Sequence, residues 1–186
     1  MANAKIKYME KNLQQAVFGG GCFWCTEAIF QNLKGVQNVE PGYAGGHKPH
    51  PTYQQVSSGT TGYAEVIKID FDPQVITYSD LLEVFFATHN PTTLNRQGND
   101  VGTQYRSVIF YANDEQKIQA QNYVKNHTAD FSDKIVTTLE KLTDFYPAED
   151  YHKNYYERNK DNPYCQIVIS PKLKKFKEKH PELLKR

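Results

Sequence analysis

The chain has 186 residues, of which 39% are hydrophobic, 13% aromatic and 23% charged, which is material for one domain with a real core and too little for two of ordinary size. Its 22 Lys and Arg against 21 Asp and Glu leave a net charge of +1, without the basic excess usual in a nucleic-acid binder. No run approaches the roughly 18 apolar residues of a membrane helix, and the lysine-spotted first residues lack the apolar stretch of a secretion signal.

Residues 1–13 read as a loosely held polar arm. Residues 14–18 predict a short strand that ends at Gly19, Gly20 and Gly21. From Cys22 to about Leu33 the spacing of Phe23, Ile29, Phe30 and Leu33 predicts a helix, with Gly35 as its stop. Residues 42–53 read as a loop rich in Gly, Pro and His, and 63–71 as a strand. Ser79 to His89 predicts a helix, 90–102 a long polar loop, and Tyr105 to Tyr111 a buried strand. A helix follows from Asp114 to about Lys125, then a strand over 135–139. Pro147 is read as opening a helix through about Arg158, because Pro suits a first helical turn. The segment 171–186 is a basic amphipathic tail, with Leu173, Phe176 and Leu183 able to pack. The irregular mixture of elements predicts an α+β fold, an α/β sandwich.

Three cysteines, Cys22, Cys25 and Cys165, are too few and odd in number for a disulfide-stapled scaffold. Cytosolic thiols that form disulfides are usually catalytic or redox-sensing. In GGGCFWC (19–25) a strand runs into a glycine turn and a helix starts at or near Cys22. The helix N-terminus favours a thiolate, the nucleophilic form of cysteine. The competing reading is of two small buried hydrophobes, and from this stretch alone the two stand level. Zinc binding lacks a second cysteine pair or a His pair at ligand spacing.

In the strand 63–71, alternation puts Tyr63, Glu65, Ile67, Ile69 and Phe71 on one face. Glu65 therefore points where a core belongs, and a desolvated carboxyl stays protonated near neutrality, as a general acid must. An edge position at which it reaches water is the alternative. Tyr53 and Tyr105 lie at loop–strand junctions, from which phenols can donate into a cleft. Asp100 reads locally as a turn former, and Trp24 as an apolar wall beside the thiol or a core ring. The block 148–156, with its Tyr and His pairs at i, i+4, reads as packing.

Taken in order, GGCFWC (20–25), GYAGG (42–46), PTYQQV (51–56), GTTGYAEV (59–66), RQGNDVGTQYRSVIFY (96–111), FYPAEDYH (145–152) and NPYC (162–165) resemble the peptide methionine sulfoxide reductases of the A type. The resemblance covers about residues 14–170 and implies a single domain over that span, with a central mixed sheet flanked by helices in a ferredoxin-like two-layer arrangement. It implies that Cys22 attacks the sulfoxide sulfur, that Phe23 and Trp24 enclose the methyl group, and that Glu65 protonates the oxygen. Tyr53 and Tyr105 would hydrogen-bond that oxygen, and Asp100 would organise the site. It further implies action on the S epimer, free or in proteins, through a Cys22 sulfenic acid that condenses with a second thiol. Thioredoxin, or another dithiol, would then reduce the disulfide. No bound cofactor or metal, nucleic acid or membrane is expected, and the chain is expected to be a cytoplasmic monomer.

The chain departs from the commonest pattern at Cys25, where Gly is frequent, and in the shortened NPYC ending. Cys165 occupies the family position of the resolving thiol. It is favoured over Cys25 because a tail moves while a helix is rigid; a relay through both stays open. A C-x-x-C thiol–disulfide oxidoreductase is the alternative function, and a non-catalytic binding module or metal protein a third.

Overall fold

The computed structural model describes residues 12–185, so the arm expected at 1–13 lies almost wholly outside the described residues. Strand β1 (Gln14–Gly20) turns Ala16 and Phe18 to one side and Val17 to the other, and all three are buried. A strand covered on both faces belongs in the middle of a sheet. It pairs antiparallel with β3 (Ala64–Phe71) on one side and β6 (Ser107–Tyr111) on the other. Beyond β3 lie β2 (Val36–Ala44) and the short β8 (Phe145–Pro147), and beyond β6 lies β7 (Thr138–Lys141). The six-stranded sheet thus runs β7-β6-β1-β3-β2-β8, with β6 and β7 parallel and every other pair antiparallel. A second hairpin, β4 (Arg96–Gln97) with β5 (Asp100–Val101), lies within the segment read as loop.

The connections between central strands are helical: α1 (Phe23–Phe30) follows β1, and α3 (Tyr78–Thr88) follows β3. With the order β6-β1-β3-β2, these six elements form the expected ferredoxin-like β-α-β-β-α-β unit. Ile29 and Phe30 of α1 and Leu81, Leu82 and Phe85 of α3 pack on Phe18, Ile67, Ile69 and Phe71 of the sheet. Phe18 stacks on Phe85 at 5.0 Å between ring centres. Each buried ring of this kind contributes about 1.5–3 kcal/mol through lost water contact. The opposite face is a smaller cluster of Val17, Ala44, Ala64, Val66, Val108 and Phe110, covered by Leu142 and Phe145. Helix α4 (Asp114–Asn126), capped by Asn113, and helix α6 (Ser170–Lys179) add Ala120, Leu173 and Phe176 to the larger core.

Four local readings change. Strand β2 runs on through Gly42 to Ala44, the first three residues of the segment 42–53 read as a loop. Its pairing with β3 and β8 outweighs local composition, and Phe145 closes on Gly42 where a Cβ would stand 2.4 Å from its ring. The same loop reading missed α2 (Tyr53–Ser57), although Thr52 and Gln55 form a reciprocal capping box there. Helix α1 is shorter than expected, ending at Phe30. Pro147 closes β8 instead of opening a helix. The chain reaches α5 (Tyr155–Arg158) only after a 3-10 turn and the left-handed Asn154 (φ 52°). Finally, a π-helical turn over Cys165–Ile169 runs directly into α6.

Candidate active site

The glycine turn after β1 is forced by space. A Cβ on Gly19 would stand 2.8 Å from Val108, and one on Gly20 would stand 2.9 Å from Phe85. Gly21 adopts φ +92°, which side chains rarely tolerate. The turn delivers Cys22 to the N-cap of α1, where its side chain makes no capping bond and only 8% of its surface is exposed. The adjacent Phe23 N–H, unsatisfied within the helix, donates to Glu65 Oε2 at 3.1 Å. Glu65 is 2% exposed on the core face of β3. Alternation placed it there correctly, and the edge alternative is excluded by strands on both sides of β3.

Burial pushes the Glu65 carboxyl up to about 8, against the opposing bond from Phe23. It is therefore a proton donor at neutral pH. The thiol behaves differently from expectation. Burial first, then the hydrogen bond Cys22 gives to Cys25, then the Glu65 charge push Cys22 well above the usual thiol range. The helix N-terminus alone does not make it a thiolate, because the sulfur is shut away from water and faces an acid. Cys25 is held low, chiefly because it accepts from Cys22. Its backbone N–H also donates to Cys22 O at 3.1 Å, one turn of helix away.

Around this floor stand half-buried aromatic rings. Trp24 stacks on Tyr155 with centres 3.7 Å apart and planes 5° from parallel, and meets the edge of Tyr164 at 5.9 Å. Its indole N–H donates to His152 Nδ1 at 3.0 Å. Burial lowers His152, so the ring is neutral and accepts that bond. Phe23 lies parallel to Tyr53, 6.4 Å between centres. Burial and the Glu65 charge raise both Tyr53 and Tyr105, and the Cys22 charge acts on both, so the two phenols keep their protons beside the acid and the thiol. Asp100, on β5, accepts from the Tyr164 hydroxyl at 2.8 Å, and that hydroxyl also lies 3.8 Å from Cys25 Sγ.

All the residues singled out in the sequence thus converge. Cys165, expected on a mobile tail, is completely buried and packs in one cluster with Cys22, Cys25, Ala28 and Ile169. Sequence reasoning passed over four contributors. Tyr164 stands beside Cys165 in a block that had been noted, but no pattern gave its hydroxyl a partner. His152 and Tyr155 lie in the stretch read as packing. Glu149 accepts from Tyr43 Oη and Tyr53 N, both at 2.8 Å. Among the described residues, no group of three or more His, Cys, Asp or Glu is placed to hold a metal.

A sulfur nucleophile beside a neutral acid, with two more thiols packed behind it, suits reductive chemistry. The nucleophile can take oxygen from a substrate, and a neighbouring thiol can then discharge it as a disulfide. The class this fold and site define is a thiol-dependent reductase. Residues 14–184 match the family model of peptide methionine sulfoxide reductase. The chain is 60% identical over 173 residues to the "Peptide methionine sulfoxide reductase MsrA" of Acinetobacter baumannii (strain AYE), covering 93% of this chain and 99% of that one. The structure is similar to Mxr1 from Saccharomyces cerevisiae in reduced form, with TM-score 0.77 and 34% identity over 87% of this chain and 94% of that one. It is also similar to Mxr1 in complex with Trx2, with TM-score 0.55 and 24% identity over 82% and 91% of the two chains. The chain belongs to the peptide methionine sulfoxide reductase family and is an oxidoreductase that reduces methionine sulfoxide to methionine with its thiols.

Proposed function

We propose that Cys22 is the nucleophile and Glu65 the general acid, acting on the S epimer of methionine sulfoxide, free or in proteins. Sulfoxide sulfur is a weak electrophile until its oxygen is hydrogen-bonded or protonated. Glu65, still protonated at neutral pH, supplies that proton, and the Tyr53 and Tyr105 hydroxyls donate to the same oxygen. Phe23 and Trp24 enclose the methyl group, and Asp100 orients the site through Tyr164. As Cys22 sulfur attacks, the sulfoxide S–O bond breaks. The oxygen passes to Cys22 with the Glu65 proton as sulfenic acid, methionine leaves, and the proton that Cys22 gave up in forming its thiolate restores the Glu65 carboxyl.

The observation that carries the recycling route is the packing of all three thiols in one buried cluster. Cys25 receives the Cys22 hydrogen bond, and Cys165 belongs to the same cluster, near enough for the Cys25 charge to act on it. Cys25 attacks the sulfenic acid, a Cys22–Cys25 disulfide forms and water leaves. Cys165 then displaces Cys22, leaving a Cys25–Cys165 disulfide and a free Cys22 thiol. A protein dithiol of the thioredoxin kind reduces that disulfide, the yeast relative Mxr1 having been solved with Trx2. The unit 14–170 with the basic segment 171–186 packed on it works as a cytoplasmic monomer without a bound cofactor.

Mass-spectrometric disulfide mapping after one turnover without reductant tests this reading. The expected product is a Cys25–Cys165 link, with a Cys22–Cys25 link accumulating in Cys165→Ser. A Cys22–Cys165 link in Cys25→Ser formed at the wild-type rate would remove Cys25 from the relay. Cys22→Ser abolishes single-turnover reduction; retained activity would overturn the mechanism.

A further inference from the structure

The charge of this chain is divided. Residues 171–186 carry seven Lys and Arg against two Glu, a net +5, while the remainder carries 15 basic against 19 acidic residues, a net −4. Helix α6 concentrates the positive end. Lys172, Lys175 and Lys179, at i, i+3 and i+7, line one side of a cavity of about 330 Å³ together with His180. The facing wall includes Asn90 and Gln97, which are tied to each other: Asn90 N donates to Gln97 Oε1 at 3.0 Å and Gln97 Nε2 to Asn90 O at 3.1 Å. No carboxylate lines the cavity, and none among the described residues is within ion-pair distance of the three lysines, whereas Lys174 on another face pairs with Glu178 at 3.9 Å. Three uncompensated cations along a groove are a surface for an acidic partner.

The place of the groove says which partner. Helix α6 continues directly from the turn that holds Cys165. At 1.5 Å per residue, Lys172 lies about 10 Å and Lys179 about 20 Å along the helix from that thiol. Lys172 also acts electrostatically on Cys25. A protein lying along the groove therefore has its own edge over the Cys25–Cys165 pair. We infer that the α6 lysine groove is the docking surface for the protein dithiol that recycles the enzyme, and that this partner meets it with an acidic rim beside its thiols. The inference rests on Cys165 carrying the final disulfide. The partner's dithiol reduces that disulfide to two thiols and leaves as its own disulfide, so two electrons and two protons pass across the interface. The acidic rim raises the encounter rate and fixes the approach.

The test compares two reductants on free methionine-S-sulfoxide: a purified thioredoxin, and dithiothreitol, which is small and uncharged. The wild-type kcat/KM for thioredoxin should fall steeply between about 20 and 200 mM salt. The charge reversal Lys175→Glu with Lys179→Glu, both exposed positions, should lower that kcat/KM about tenfold at low salt and flatten its salt dependence. Dithiothreitol-supported turnover should stay within twofold. If the double reversal loses dithiothreitol turnover, Lys175→Gln with Lys179→Gln replaces it, with a smaller drop of about threefold expected. An unchanged kcat/KM for thioredoxin in either variant would overturn the inference. So would a raised KM for an acidic sulfoxide peptide under dithiothreitol with thioredoxin kinetics untouched, which would assign the groove to substrate. The underlying reading fails separately, if Cys165→Ser still turns over with thioredoxin.

Discussion

Glu65→Gln keeps the shape of a buried side chain and removes its proton. Gln Oε1 can still accept from Phe23 N–H, now 3.1 Å from the carboxylate, so the helix start is preserved. Two consequences of opposite sign follow. At pH 7 a group titrating at about 8 is roughly ten to one protonated, and loss of that donor lowers kcat/KM for the reductive step by about 10²–10⁴-fold. The pH profile changes too. Cys22 titrates well above Glu65, so the wild-type rate climbs with the thiolate fraction and levels off near pH 8, where the acid begins to lose its proton. In the variant the climb continues past pH 8.

Stability moves the other way. In the unfolded chain the carboxyl titrates near its ordinary 4.5, and in the folded chain near 8. Between those values the folded state holds the extra proton, so stability falls as pH rises through the window. The full gap corresponds to roughly 5 kcal/mol above pH 8 and to about seven-tenths of that at pH 7. Gln has no proton to lose. The variant should therefore match the wild type near pH 4.5 and exceed it by several kcal/mol at pH 8.5, read from urea unfolding at both pH values. Equal differences at the two pH values, or a variant rate that levels at pH 8 as the wild type does, would refute the assignment of a buried neutral acid.

Glu27→Ala should cost about 2–3 kcal/mol in urea unfolding and raise KM for the sulfoxide. Glu27 accepts from Asn154 N at 2.7 Å and Tyr155 N at 3.3 Å, and so sets the ring that stacks on Trp24. Gly20→Ala should lower stability by about 1–3 kcal/mol, because its Cβ meets Phe85 and the buried His89 at 2.9 and 3.2 Å; a neutral thermal midpoint would contradict the packing. Tyr164→Phe removes the hydroxyl that holds Asp100 and helps keep Cys25 low. Iodoacetamide labelling of Cys25 should then shift to higher pH.

Much of the site was legible in the chain because it obeys local rules. A glycine run between strand and helix places the thiol, and period-two alternation turns Glu65 inward. The order of short blocks carried the family and the ferredoxin-like fold. Local rules failed where neighbours distant in sequence decided. Gly42, Tyr43 and Ala44, read as loop, belong to β2 because β3 and β8 pair with it from both sides. The helix expected from Pro147 starts only at Tyr155, where Glu27, more than a hundred residues earlier, takes the N–H groups of Asn154 and Tyr155.

The sequence by itself determined where the Cys22 thiol and the Glu65 carboxyl stand and which strand buries the carboxyl, since these depend on residue type and spacing. Only the tertiary structure decided their protonation and their company. Desolvation is a property of everything packed around a group, and it raises Cys22 although a helix N-terminus favours the anion. The same packing brings Cys165 from the far end of the chain into one buried cluster with the thiol pair, where spacing alone left its role open.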